Sequence, residues 1–184
     1  MARPDTIMFI RHAEKPDGDV QGVREVGTSD PESLTARGWQ RAGALAVLFN
    51  GSDRLPTPTK VFAARPTDGD PSERPLQTVT PLCAKLQIEP QTAYAKDDFP
   101  RMLADAMSAD GVVLVSWEHK VLALGLASGL GAGISIEGEV PSSWSDKRFD
   151  IVWVFERISH EHYQFTQVPQ LLLAGDSSKP LSGG

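Results

Sequence analysis

Thr6-Ile7-Met8-Phe9-Ile10-Arg11-His12-Ala13-Glu14 passes from an apolar run straight into charged and reactive side chains. A short apolar run without alternation suits a strand covered on both faces, the kind found in parallel sheets between helices. Such sheets bind ligands beyond the carboxyl ends of their strands, which is where Arg11 and His12 fall. A second segment has the same layout: Val112-Val113-Leu114-Val115 is continuous and apolar, and it ends in Ser116-Trp117-Glu118-His119. Two histidines are therefore expected at the same end of one sheet.

Working outward, the residues from 17 to 33 hold glycines, acids and Pro31 without a sustained period, which predicts a long surface loop. Thr35 can cap a helix to about Phe49 that buries Trp39, Ala42, Leu45, Ala46 and Phe49, with Asn50-Gly51 as its stop. Lys60 to Ala64 is the next strand, followed by a turn over 65–72. Ser72 is the expected cap of a helix with Pro75 in its first turn and Leu76, Val79, Leu82, Cys83 and Leu86 at helical spacing, so Arg74 lies at the helix start. Further helices are expected from Asp98 to Ala109 and from about Lys120 to Leu130, the latter followed by a loop over 131–149. The β-rich runs 150–156 and 162–168 suggest a hairpin at the sheet edge. Alternating strands and helices give an α/β class: a three-layer α/β/α sandwich, with a mostly parallel sheet and an antiparallel edge hairpin.

The chain has 184 residues, 40% of them hydrophobic, enough for one core and too few to suggest two. We expect one domain over 1–173 and a mobile tail over 174–184, whose residues are small and polar. A formal net charge of −6 argues against nucleic acid or anionic membrane as a partner, so any anion site must be a local basic cluster. Cys83 is the only cysteine and sits in an apolar helical pattern, where a small buried thiol is the ordinary role. The opening residues contain no signal-peptide core or membrane span, and a cytoplasmic location is the expectation.

Phe9-Ile10-Arg11-His12-Ala13-Glu14 resembles the Arg-His-Gly signature of the histidine phosphatase superfamily, which includes the phosphoglycerate mutases. Ser33-Leu34-Thr35-Ala36-Arg37-Gly38-Trp39-Gln40-Arg41-Ala42 is similar to the family's Leu-Thr-x-x-Gly-x-x-Gln-Ala helix start. Ser72-Glu73-Arg74-Pro75-Leu76-Gln77-Thr78 resembles its Ser-x-x-x-Arg-Ala-x-x-Thr segment in compressed form, and His119 matches its second histidine. The matches run in family order over residues 6 to 130. Ala13 replaces the usual glycine, an acidic Gly/Pro-containing insertion precedes Arg74, and His119 stands between Trp117-Glu118 and Lys120.

The resemblance implies a phosphoglycerate mutase-like fold and a phosphatase that hydrolyses a phosphomonoester through a phosphohistidine on His12. Phosphoryl transfer needs an in-line nucleophile and cations around the equatorial oxygens. On this reading Arg11, Arg74 and His119 bind phosphate, and no metal or other cofactor is needed. Glu118, beside His119, is the first choice for the general acid, with Asp97 and Asp98 as alternatives; Asp98 also reads as a helix cap. Arg65 and Glu14 are further possible site residues, and Lys15, Lys120 and Trp117 read equally well as pocket rim or as surface charge and core. The expected partner is a phosphorylated small molecule or a phosphoprotein; the sequence leaves the oligomeric state open. A non-catalytic phosphate- or phosphoprotein-binding module on the same fold, a phosphomutase and a metal hydrolase are the competing readings.

Overall fold

The computed structural model describes residues 2–182. Six strands, β1 (Thr6–Arg11), β2 (Lys60–Ala63), β3 (Val112–Trp117), β4 (Ser135–Glu137), β5 (Ile151–Ser159) and β6 (His162–Pro169), form one sheet in the order β2-β3-β1-β5-β6-β4. The β1–β3, β2–β3 and β4–β6 pairs are parallel, whereas β1–β5 and the β5–β6 hairpin are antiparallel. The hairpin is not the outermost element. Three residues of the expected loop 131–149 pair outside it as β4, and a run as short as Ser135-Ile136-Glu137 among glycines carries no period to read.

Four helices complete the layers: α1 (Ala36–Leu48), α2 (Arg74–Leu86), α3 (Phe99–Ala106) and α4 (His119–Ala127). Successive residues of β1 serve opposite faces, as a strand requires. Ile7 and Phe9 pack with Phe99 and Met102 of α3 and with Leu122 and Leu126 of α4. Met8 and Ile10 pack with Leu45 and Leu48 of α1 and with Val79 and Leu82 of α2. All six residues of β1 are buried, which is why the segment reads as an apolar run without alternation.

Element ends differ from expectation by local chemistry. The side chain of Thr35 does cap α1, accepting from the backbone N–H of Gly38 at 3.1 Å. Ser72 does not cap α2: the helix starts at Arg74, the cap position is Glu73, and no side chain fills it. The Glu118 side chain caps α4 by accepting from Val121 N at 2.9 Å, so His119 belongs to the first turn of that helix. The helices expected to end at Ala109 and Leu130 stop at Ala106 and Ala127. Cys83 is free and buried, and burial pushes its thiol up to about 11. No helix among the described residues is long and apolar enough to cross a membrane.

The segment after β6 makes contacts that its composition does not announce. Asp176 accepts from Arg41 Nη2 at 2.7 Å and from the backbone of Leu172 and Leu173, while Leu181 is buried and receives a bond from Gln167. Gly183 and Gly184 of the expected tail lie outside the described residues.

Candidate active site

The carboxyl ends of β1 and β3 and the amino ends of α2 and α4 meet at a cavity of about 350 Å³. His12, Arg74, Glu118 and His119 line it, together with Arg65. The parallel β1–β3 register puts Arg11 opposite Trp117, and His12 N bonds the carbonyl of Trp117 at 3.0 Å, so both histidine segments leave the sheet side by side.

His12 is buried, and its Nδ1 lies 2.8 Å from the carbonyl oxygen of Ala13. A carbonyl only accepts, so Nδ1 carries the proton and Nε2 keeps its lone pair. Burial first, then the charge of Arg11, hold the imidazole at a pKa of about 3, and Arg74 and His119 act in the same direction. At neutral pH the ring is uncharged and nucleophilic.

The residues around the turn 12–14 explain the sequence motifs. Ala13 N donates to Thr78 Oγ1 at 2.8 Å, and Thr78 in turn donates to the carbonyl of Arg74, so the Arg74-to-Thr78 stretch anchors the His12–Glu14 loop to α2. Thr35 N bonds the Glu14 carbonyl at 3.0 Å. A Cβ on Gly38 would stand 2.6 Å from that carbonyl oxygen, so α1 can approach the loop only with glycine there. Gln77 closes the network by accepting from Leu34 N and donating to Ser33 Oγ.

Arg11 is 1% exposed, and its Nη1 bonds the carbonyls of Ser145, Asp146 and Arg148 while its guanidinium stacks 3.8 Å over Phe149. Burial lowers its pKa to about 10, against the opposing pull of Asp146, Glu118 and Glu14. Its Nε and Nη2, and Nε of Arg74, are buried donors with no partner among the described residues. An unmade buried hydrogen bond costs about 1–3 kcal/mol; Arg74 lines the cavity and Arg11 does not, so Nε of Arg74 is the orphaned arginine donor that belongs to a lining residue.

His119 sits between two carboxylates. Its Nε2 is 2.6 Å from Asp146 Oδ1 and its Nδ1 is 2.8 Å from Glu118 Oε1. Burial raises the Glu118 pKa, but the neighbouring His119 and the backbone N–H groups of Val121 and Lys120 outweigh it and hold the carboxyl at about 2. Asp146 is drawn below the usual carboxylate range by His119 and Lys120. Sequence reasoning did not single out Asp146. It lies in a loop far along the chain, and no local pattern connects it to His119.

Asp97 and Asp98 do not line the cavity. Asp98 accepts from Ala95 N at 3.3 Å, which closes the short 3-10 turn, and it occupies the cap position of α3 without a side-chain bond to that helix. Glu14 is engaged elsewhere: Arg41 grips both of its oxygens at 2.8–3.1 Å, and Arg37 lies 3.3 Å away. Although burial lowers the pKa of Arg41, its bonds to Asp176 and Glu14 raise it further, so this buried pair stays charged. Arg65 is exposed and donates from Nε to the carbonyl of Ala93. Lys15 and Lys120 line the cavity, whereas Trp117 is fully buried in the core.

Comparison with solved structures completes the picture. An α-ribazole phosphatase from Shigella flexneri is similar over 94% of this chain and 99% of its own, with a TM-score of 0.52 at 14% identity. A chain assigned as an α-ribazole-5′-P phosphatase from Escherichia coli is similar over 88% and 94%, with a TM-score of 0.50 at 14% identity. This is the histidine phosphatase fold. Within the histidine phosphatase fold, His12 and His119 stand at the ends of adjacent parallel strands, as the sequence resemblance implies. No protein-family model matches the chain, and no curated protein matches it significantly.

Proposed function

We propose that this protein is a phosphatase that hydrolyses a phosphomonoester through a phosphohistidine on His12. The observation that carries the reading is the state of His12: buried, neutral and with Nδ1–H fixed on the Ala13 carbonyl, it presents the Nε2 lone pair in a cavity lined by Arg74, whose Nε is an orphaned donor. Nε2 attacks phosphorus in line with the ester oxygen, the P–O bond breaks, and the phosphoryl group rests on His12 until water attacks it. Arg11, Arg74 and His119 are assigned to the phosphate oxygens; cations placed where charge builds up lower the barrier. For His119 and Arg11 this requires the contacts of the 145–148 turn to yield to the ligand.

Glu118 is assigned the proton transfers because it is the carboxylate that both lines the cavity and adjoins His119. Held at about 2, it is ionised at neutral pH but weakly basic, so accepting a proton from the attacking water also requires its pKa to rise when phosphate is bound. To donate a proton to the leaving oxygen it must first be raised by the dianionic phosphate beside it. The two guanidinium groups next to His12 oppose a metal cation, and the reading needs no metal. A phosphorylated small molecule or phosphoprotein remains the expected ligand class.

The test compares wild type with His12→Ala on p-nitrophenyl phosphate and looks for acid-labile 32P on the protein. Hydrolysis and label are expected in wild type and absent from the variant. Undiminished hydrolysis by His12→Ala would remove the nucleophile, and folded wild type without label or turnover would favour a phosphate-binding module.

A further inference from the structure

The chain carries a net charge of −6, yet its candidate active site is a concentration of cations. Lys15, Arg65, Arg74, Lys96 and Lys120 line the cavity, against the carboxylates of Asp70 and Glu118. Both carboxylates are committed: Asp70 lies 2.9 Å from Lys96 Nζ, and Glu118 is held by His119 and the start of α4. Arg74 is already assigned to the phosphoryl group. Lys15, Arg65 and Lys120 then remain, and among the described residues none of them is within ion-pair distance of a carboxylate. All three are exposed at the mouth of a recess whose walls focus their field. A single phosphoryl group bound by Arg11, Arg74 and His119 leaves this charge unmatched.

The rest of the lining narrows the ligand. Its apolar contribution is Ala64 and Pro75, and among the described residues no Phe, Tyr or Trp lines the cavity, whose two imidazoles are assigned to the phosphoryl group. A nucleobase or an aryl group would find no face to stack on. A volume of about 350 Å³ falls at the small end of ligand sites. We infer that the substrate is a compact, non-aromatic phosphomonoester bearing a second anionic group, which Lys15, Arg65 and Lys120 recognise. The second group is a carboxylate or another phosphate; both present the same charge-assisted acceptors to these side chains. The inference rests on the phosphatase reading for the position of the first phosphate.

Three probes of equal chain length test it: 3-hydroxypropyl phosphate, 3-(phosphonooxy)propanoate and propane-1,3-diyl bisphosphate. Wild type should show kcat/KM about tenfold higher for at least one probe with an anionic tail than for the neutral one, carried mainly by KM, and the better of the two identifies the second anion. In Lys15→Gln/Lys120→Gln this ratio should collapse toward one, and 0.5 M NaCl should shrink it in wild type. Circular dichroism confirms that the double variant, changed only at exposed positions, is folded. Equal turnover of all three probes by wild type overturns the inference and leaves the phosphatase reading standing. A ratio unaltered by the double variant overturns the assignment of the lysines. If nothing is hydrolysed but calorimetry shows tighter binding of a charged-tail probe, the ligand class holds and the catalytic reading fails; if no probe binds, both fail.

Discussion

At the scale of single residues, the site is governed by what each buried polar atom has for a partner. His12 spends Nδ1–H on the Ala13 carbonyl and so keeps Nε2 free, a division fixed by one 2.8 Å contact. Its residue type and its place after an apolar strand were legible in the sequence; its tautomer was not, because it depends on how the ring turns onto the Ala13 carbonyl, and its depressed pKa was not, because burial is the largest cause and Arg74 approaches only in the folded chain. Asp146 was invisible for the same reason. It meets His119 through its side chain and Arg11 through its carbonyl, so it occupies donors that the proposed mechanism gives to phosphate. Asp146→Asn removes the competing charge but keeps the side-chain volume. Inorganic phosphate should then bind about two- to fivefold more tightly in calorimetry, within what an exposed pair contributes. Weaker phosphate binding would instead mean that Asp146 orients His119 for the ligand.

At the scale of elements, the family-like motifs act as supports for the loop that carries His12. Thr35, Gly38, Gln77 and Thr78 bond or abut residues 13, 14, 33 and 34, and none of them lines the cavity. The helices themselves were readable from periodicity and from the Thr35 cap. The start of α2 was misjudged because Ser72 is a good cap by type, yet the helix begins at Arg74 with Glu73 at the cap position and no side-chain bond there. Gly38→Ala tests the support role. The added methyl meets the Glu14 carbonyl oxygen at 2.6 Å, so α1 or the loop must shift. Overpacking of this kind costs about 1–3 kcal/mol. Chemical denaturation should show that loss, and kcat on p-nitrophenyl phosphate should fall further than the folded fraction does; an unchanged midpoint would mean that the loop yields freely.

At the scale of the whole molecule, Arg41 ties three distant parts of the chain together. It reaches Glu14 in the loop that carries His12, Gln170 after β6, and Asp176. Both Arg41 and Asp176 are almost wholly buried, with side-chain exposures of 3% and 4%. Removing Asp176 leaves Arg41 paired with Glu14 but takes away its two charge-assisted hydrogen bonds to Asp176, at about 1.5–3 kcal/mol. Asp176→Ala, and deletion of residues 174–184, should therefore each lower the unfolding free energy by roughly that amount, read from urea midpoints. A truncated chain of unaltered stability would restore the simpler view of a dispensable tail. The amino-acid sequence by itself determined the layered α/β architecture, the two histidines at strand ends and the order of the motifs, because apolar periodicity and capping chemistry act between neighbours in the chain. The tertiary structure alone decided the β4 edge, the tautomer of His12, the clamp on His119, the engagement of Glu14 by Arg41 and the cation-rich rim. The β4 edge, the Asp146–His119 contact, the Glu14–Arg41 pair and the cation-rich rim join residues tens of positions apart, and the His12 tautomer depends on how the buried ring turns onto the Ala13 carbonyl; neither leaves a local pattern to read.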